Sequence, residues 1–198
     1  YVYNNLGQIA SDNGDYKEAI NFYMASLKIA KKNQNAIFMS NALNNLGNLF
    51  LVQKDTIKAL EYYNQNVENA LKNDLTQQLA NGYMTLGGIY RLKESNIALE
   101  HYKKAAIIVE KSNDLNSQFI IEMCLTSICF KSKSNQKYEE GFQHIKKATA
   151  IQNILKDESM LYYIHLKLGH YYYYHNQLDL AEKNYKLAEK YSKIGIDL

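Results

Sequence analysis

The chain has 198 residues, 46% of them hydrophobic, and its 23 basic and 20 acidic residues leave a formal net charge of +3. That hydrophobic share is enough for a packed interior. No stretch approaches the roughly 18 consecutive apolar residues of a transmembrane helix, and the basic residues are scattered rather than clustered on one face, as nucleic acid requires. We therefore expect no direct membrane insertion by this segment and no nucleic-acid partner.

The first recognisable unit of the chain is built around a Leu-Gly pair. Gly7 is followed twelve residues later by Ala19, and Tyr23 lies four residues beyond. Apolar residues recur at helical spacing on both sides of a turn-forming Asn-Gly at 13–14. The pattern predicts one helix that ends near this turn and a second helix from about 16 to 32.

The same pattern recurs along the chain. Gly7, Gly47 and Gly87 are spaced by 40 residues, and Gly169 follows after 82 residues, which leaves room for one degenerate copy. A fixed period of roughly 20–50 residues is the signature of a repeat array. The approximate repeat boundaries are 1–34, 36–73, 75–112, 115–155 and 158–193.

Two of the copies deviate from the pattern. In the third, glycine and alanine are eleven residues apart instead of twelve, which predicts a turn at 94–96 that is one residue shorter. In the fourth, Thr126 stands where the others carry glycine, while Gly141 and Ile145 take the positions of the alanine and the tyrosine. The polar stretch 131–137 predicts a longer loop there.

The recurring glycine has a physical cost. Glycine inside a helix is about 1 kcal/mol less favourable than alanine, so its repeated use indicates a helix crossing too close for a Cβ atom. The alanine is the small counterpart on the second helix, and the tyrosine fills the space where the helices diverge. One helix pair cannot bury its apolar faces alone, so we interpret residues 1–198 as a single array. We also expect this array to be part of a longer protein.

This pattern resembles the tetratricopeptide repeat (TPR), whose motif is W-x2-L-G-x2-Y, then A-x3-F, then proline. The four clear copies all read A-x3-Y, and the Trp position carries Tyr3, Leu43, Tyr83 and His165. The chain has no proline, and its period is 40 rather than 34 residues. The resemblance, to the 40-residue variant of kinesin light chains and bacterial signalling regulators, implies an all-α, right-handed α-solenoid of about five helix–turn–helix repeats.

The resemblance also implies a function. TPR arrays are non-catalytic modules that bind a protein or an extended peptide in a concave groove, which suggests the scaffold or sensor segment of a larger, bacterial, signalling or regulatory protein. The alternative is a small-peptide receptor of the pheromone type, whose array changes curvature on ligand binding. Pairing of exposed terminal repeats into a homodimer stays open.

Groove positions follow from the resemblance. In TPR proteins the first helix of each repeat lines the concave face, two and three positions before the glycine, one position after it, and a turn away. Carried onto this sequence, the predicted partner-binding residues are Asn4, Gln8, Asn41, Asn44, Asn48, Asn81, Met84, Arg91 and His170, with Thr85 and Leu166 at equivalent positions.

Asparagine dominates these positions. An amide both donates and accepts hydrogen bonds, so a ladder of amides can pair with the main chain of an extended peptide. We expect Asn4, Asn44 and Asn48 to face the groove, and we interpret Asn5 and Asn45 as bridges between helices of adjacent repeats.

Arg91 is the only arginine among the 23 basic residues. At a groove position its guanidinium can hold a carboxylate through two parallel hydrogen bonds, and the alternative is a structural salt bridge. Chaperone-binding TPRs hold a C-terminal carboxylate with a basic cluster, but the corresponding positions here are mainly Asn, Met and Thr. That specialisation is disfavoured.

The run Tyr171–Tyr174 has two interpretations. The repeat pattern places Tyr172 in the core. For Tyr173 and Tyr174, packing against neighbouring helices and a partner-binding platform stay equally open, because tyrosine brings a large area and a polar tip to interfaces.

The sequence predicts no catalytic residue, no metal site and no cofactor. His165, His170 and His175 are five residues apart, which separates successive rings by about 140° around a helix, whereas a two-histidine metal site uses i and i+4. Cys124 and Cys129 are expected to be free thiols that pack as small apolar residues. Free thiols favour the cytoplasm, while a periplasmic or other extracytoplasmic sensor segment stays open.

Overall fold

The computed structural model describes residues 2–91, 93–132 and 134–193. Regular structure in these ranges is entirely α-helical, which confirms the predicted all-α repeat class. None of the helices there combines the length and apolar content needed to cross a lipid bilayer. The helices are α1 (Val2–Asp12), α2 (Tyr16–Lys32), α3 (Ala36–Val52), α4 (Thr56–Lys72), α5 (Thr76–Tyr90), α6 (Ser95–Ser112), α7 (Leu115–Lys131), α8 (Asn135–Leu155), α9 (Ser159–Tyr174) and α10 (Leu178–Ser192).

The chain divides into two compact units, Tyr1–Ile89 and Tyr90–Leu198. The first unit contains α1 to α4 and nearly all of α5, and the second contains α6 to α10. Within the units, consecutive helices from α1 to α4 and from α6 to α10 pack against each other and are joined by short connections.

Polar side chains in the connections start several helices. The side-chain oxygens of Asn35, Asp55, Asp114 and Ser134 each accept a hydrogen bond from the backbone N–H three residues later, at 3.0–3.3 Å. Such caps satisfy N–H groups that have no partner within the helix. Short-range sequence therefore defines where these helices begin.

The connection in repeat four is shorter than the sequence predicts. α7 ends at Lys131 and α8 begins at Asn135, so the connection spans three residues, as it does between α1 and α2 and between α3 and α4. The predicted long loop at 131–137 is wrong because Ser134 caps the backbone N–H of Lys137. The polar residues after Ser134 form the first turn of α8 rather than a loop.

The predicted turn of repeat three is also misplaced. α6 begins at Ser95, so the connection is 91–94 and not 94–96. α5 has 15 residues whereas α3 has 17. The end of α5 is therefore two residues shorter, and the connection that follows is one residue longer than the three-residue connections within the other repeats.

The repeated glycines face tyrosine rings. A Cβ atom added at Gly7, Gly47 or Gly169 would lie 2.5–2.7 Å from a ring carbon of Tyr23, Tyr63 or Tyr185, respectively. The expectation of a close helix crossing is therefore refined, because the group that excludes a Cβ is the ring of the A-x3-Y motif on the second helix. The motif alanines Ala19, Ala59, Ala98 and Ala181 are at most 2% exposed, as small residues at a helix crossing should be.

Repeat four reverses this arrangement. Thr126 replaces the glycine and is fully buried, and the facing position holds Ile145, which is smaller than tyrosine. The missing ring is supplied by the first helix instead, since a Cβ at Gly141 would lie 2.5 Å from Phe130. Phe130 in turn stacks on Tyr138, with ring centroids 4.5 Å apart. The degenerate repeat thus keeps a contact between a glycine and an aromatic ring, but here the first helix supplies the ring and the second helix supplies the glycine.

Candidate functional site

A polar cavity of about 390 Å³ opens between α1 and α3, with the end of α2 as its floor. Thirteen residues of the described ranges line it; eight of these are asparagine or glutamine, and none of the thirteen is acidic or basic. We call it the amide pocket. It is lined by Tyr3, Asn4, Asn5, Gln8, Ser26, Ile29, Ala30, Asn33, Asn35, Phe38, Asn41, Asn44 and Asn45.

The amide pocket brings together four of the predicted site residues, Asn4, Gln8, Asn41 and Asn44. Asn5 and Asn45, which the sequence suggests as bridges between repeats, line the same pocket. Asn41 is exposed and Asn44 is half-buried. In the described part of the chain, neither of these two side chains makes a hydrogen bond, so their donors and acceptors are available to a ligand.

Other amides of the pocket are already engaged. The Nε2 of Gln8 donates to Asp12 Oδ1 at 2.8 Å, and the Tyr23 hydroxyl donates to Gln8 Oε1 at 3.3 Å. The Oδ1 of Asn4 is buried, and no group in the described ranges donates to it. An unsatisfied buried acceptor costs about 1–3 kcal/mol, which a donor from a ligand would offset.

Asn48 lies outside the amide pocket. It is exposed, and its Oδ1 accepts a hydrogen bond of 2.6 Å from the hydroxyl of Tyr63. Burial raises the pKa of Tyr63 to about 12, so the hydroxyl keeps its proton and remains a donor at neutral pH. Asn48 and Gln8 occupy equivalent positions one residue after the motif glycine, and both accept from the motif tyrosine.

A second cavity, of about 550 Å³, lies in the second unit between α7 and α9. We call it the α7–α9 pocket. Two cations, Arg91 and Lys167, stand at its wall, and the other lining residues are mainly apolar or aromatic. They are Phe119, Ile120, Met123, Cys124, Ser127, Asp157, Ser159, Met160, Tyr162, Tyr163 and Leu166.

The two cations of this pocket repel each other electrostatically. Burial lowers the pKa of Lys167, and the neighbouring positive charge of Arg91 lowers it further. No acidic side chain in the described ranges forms an ion pair with Arg91 or Lys167. Asp157 lies at the pocket but accepts hydrogen bonds from the backbone and hydroxyl of Ser159, at 2.9 and 2.7 Å. A bound anion would stabilise the charged form of Lys167.

Three further predicted site residues line neither pocket. On α5, Asn81 is exposed and Met84 is half-buried. His170 on α9 is exposed and meets the ring of Tyr185 edge-on, with centroids 5.7 Å apart. Although the side chain keeps contact with solvent, partial desolvation by the surrounding protein, followed by the positive charge of Lys167, lowers the pKa of His170. Their role in binding stays a prediction.

The tyrosine run divides into separate environments. Tyr171 stacks on Phe142 at 4.3 Å and belongs to the rim of the core, whereas Tyr172, predicted in the core, is only half-buried. The ring of Tyr174 stacks on Tyr138 at 3.6 Å. Tyr173 is 65% exposed. Of the two proposed platform residues, Tyr173 presents the more accessible ring and Tyr174 is tied to α8.

Sequence reasoning missed Lys167, Met123 and Cys124, although a signal for each was present. Lys167 lies two residues before Gly169, at the position that Asn45 occupies relative to Gly47. The same register applied to Thr126, in place of the absent glycine, gives Met123 and Cys124. No comparable signal marks the two pocket tyrosines, whose positions depend on the rotation of α9.

Known proteins resemble this chain in a short part of the sequence and in the fold. A family model of the tetratricopeptide repeat matches residues 1–33. The sequence has no significant match among curated proteins. Among solved structures, BtubC (BKLC) from P. vanneervenii is 18% identical with a TM-score of 0.83, over 98% of this chain and 79% of that one.

Two other solved structures have a similar fold. The apo form of RapI is 15% identical with a TM-score of 0.69, over 96% of this chain and 82% of its own. A kinesin-light-chain-like protein of Podosopora anserina with nearly identical TPR-like repeats is 15% identical with a TM-score of 0.71, over 96% of this chain and 93% of that one. At these identities the likeness concerns the fold.

Proposed function

Because this chain folds as a tetratricopeptide-repeat array, we propose that it is a non-catalytic module that binds an extended segment of a partner protein. The binding surface is the space between the first helices of neighbouring repeats. In keeping with the 40-residue period, we place the module in a larger signalling or regulatory protein, as its scaffold or sensor segment.

The amide pocket carries this proposal. An extended peptide presents one N–H donor and one C=O acceptor per residue, and each must be paired when it is buried. Side-chain amides supply both kinds of partner on a single group. Asn41 and Asn44 are free to pair in this way, and they stand opposite Asn4 across a cavity of about 390 Å³.

The lack of charge on the described lining residues of the amide pocket indicates that it binds an uncharged group of the ligand. None of the described residues that line it is acidic or basic, so these side chains provide no counter-charge for an ionic group. A charged group buried there would lose hydration without compensation. Main-chain amides are polar and uncharged, and they therefore match the pocket better than a phosphate, a carboxylate or an ammonium group does.

Removing two free amides tests the proposal. We expect Asn41→Ala/Asn44→Ala to weaken partner binding about tenfold or more, since each lost hydrogen bond contributes roughly 0.5–1.5 kcal/mol. Wild-type and mutant chains serve as baits for quantitative mass spectrometry. Synthetic peptides that tile each captured protein are then titrated against both chains by fluorescence anisotropy.

The matched control is Asn64→Ala/Gln65→Ala, which removes two exposed amides from α4 outside the pocket. This variant should bind as the wild type does. Equal peptide affinity for the wild type and the Asn41/Asn44 variant, with unchanged circular dichroism, would remove the amide pocket from the binding surface.

The α7–α9 pocket favours a second candidate function, that of a receptor for a short peptide. Its volume of about 550 Å³ suits a small ligand. An apolar wall with two cations that form no ion pair within the described ranges matches an apolar residue that ends in a carboxylate.

Peptide chemistry distinguishes the receptor from the scaffold. We expect short peptides with an apolar last residue to raise the melting temperature of the wild type, and their C-terminal amides to have little effect. Lys167→Met should lose about tenfold in affinity for the free carboxylate, since a charge-assisted hydrogen bond contributes about 1.5–3 kcal/mol. The exposed Lys190→Met is the control.

Equal binding of the carboxylate and amide forms of the peptide would reject this candidate. Compaction of the chain on peptide binding, measured by small-angle scattering, would support a receptor.

A further inference from the structure

Three metal-binding side chains converge between α7 and α8, away from both pockets. Cys129 comes from α7, and Glu140 and His144 come from α8. One ligating atom of each lies within 4.8 Å of one of each of the other two. Glu140 and His144 are four residues apart, so a helix places them on one face. The three groups place a sulfur, an oxygen and a nitrogen within 4.8 Å of one another.

A fourth side chain fixes the histidine. The Nδ1 of His144 and Oε2 of Glu122 are 2.5 Å apart, and the two side chains are 16% and 15% exposed. This contact leaves Nε2 as the nitrogen available to an ion. A carboxylate bound to the second ring nitrogen is the usual outer-shell arrangement of metal-ligating histidines, because it sets the tautomer and the ring orientation.

One member of the cluster lines a cavity. A cavity of about 270 Å³ reaches Cys129 and is also lined by Lys137. The Nζ of Lys137 lies 2.5 Å from Glu140 Oε2, and the lysine side chain is 40% exposed. An arriving divalent cation would therefore replace an ammonium group that can turn out into solvent. Lys137 acts as a competitor for the same carboxylate.

We propose that Cys129, Glu140 and His144 form a zinc site, with a water molecule as the fourth ligand and Glu122 as the outer-shell partner of His144. Tetrahedral coordination by sulfur, nitrogen and oxygen suits Zn²⁺, whereas a thiolate ligand disfavours Mg²⁺ and Ca²⁺. On binding, the S–H bond of Cys129 breaks, its proton leaves to solvent and an S–Zn bond forms. The site joins α7 to α8 and is independent of the proposed function, although the sequence itself predicts no metal site.

Cobalt(II) is the first probe, because thiolate coordination gives it a charge-transfer absorption band. We expect the reduced wild-type chain to bind one equivalent of Co²⁺ with this band, and Zn²⁺ to displace it. Cys129→Ser should abolish the band and weaken Zn²⁺ binding by about 100-fold or more, beyond the 10–100-fold typical of outer-shell changes. Cys124→Ser, on the same helix and outside the cluster, should bind as the wild type does.

Two milder variants guard against misfolding of the Cys129 mutant. Glu140→Gln, at a half-buried position, should keep the helical spectrum and bind Zn²⁺ about tenfold more weakly. Lys137→Met should bind Zn²⁺ more tightly than the wild type, because it removes the competing ammonium group. Absence of saturable Co²⁺ and Zn²⁺ binding by the wild type, retention of the band in Cys129→Ser, or unchanged affinity in both milder variants would each overturn the proposal.

Discussion

Replacement of Tyr63 by alanine is expected to lower the free energy of unfolding by about 3–5 kcal/mol, as is typical for large buried aromatic side chains. Tyr63 is completely buried. Its ring covers Gly47, and its hydroxyl donates to Asn48. The substitution therefore opens a cavity between α3 and α4 and leaves Asn48 without its donor. Urea denaturation followed by circular dichroism measures the loss.

Two tyrosine variants calibrate this result. Tyr63→Phe keeps the ring and removes the hydroxyl, so it should cost only about 0.5–1.5 kcal/mol. Tyr173→Ala removes a ring that is 65% exposed and should be nearly neutral. If Tyr63→Ala were no more destabilising than Tyr173→Ala, the buried ring would not be the element that holds this helix pair together.

Gly47→Thr is expected to destabilise the chain by about 1–3 kcal/mol through overpacking. A Cβ atom at Gly47 would lie 2.7 Å from two ring carbons of Tyr63, and that ring has no exposed side toward which it can move. The same denaturation experiment measures the loss, and Gln65→Ala, at an exposed position of α4, is the control for substitution in this repeat.

Repeat four supplies a compensating change, because it pairs Thr126 with Ile145 where the other repeats pair glycine with tyrosine. The double mutant Gly47→Thr/Tyr63→Ile copies that pair into repeat two. We expect it to be more stable than the sum of the two single losses predicts, by about 0.5–3 kcal/mol, the usual coupling between residues in contact. Strict additivity would show that the threonine and the tyrosine ring do not compete for the same space.

The two pockets show how one architecture holds different chemistries. Each lies between the first helices of neighbouring repeats, α1 and α3 in one unit and α7 and α9 in the other. The groove positions are equivalent in the repeat, but they carry Asn44 and Asn45 in one case and Leu166 and Lys167 in the other. The backbone thus provides the cavity, and two or three side chains per helix decide whether it is neutral or cationic.

Part of the candidate site was predictable from the repeat register. Asn4, Gln8, Asn41 and Asn44 lie in one pocket because positions fixed relative to the motif glycine share a helix face. Asn48 has the same kind of register position, yet its oxygen is held by Tyr63. The motif tyrosine makes the equivalent contact to Gln8 in the first repeat, so the register accounts for this hydrogen bond but not for which of the two side chains lines a pocket.

The sequence by itself determined the helix pairs of this protein. Amphipathic periodicity, capping side chains such as Asp55 and the fixed spacing of Leu-Gly and A-x3-Y act over a few residues, so they define each helix and its small positions without reference to the rest of the chain. Only the tertiary structure decided what each glycine faces, which amides stay free, and that Cys129, Glu140 and His144 meet. These outcomes depend on how far each helix is rotated about its axis when it packs, and side-chain packing between helices sets that rotation.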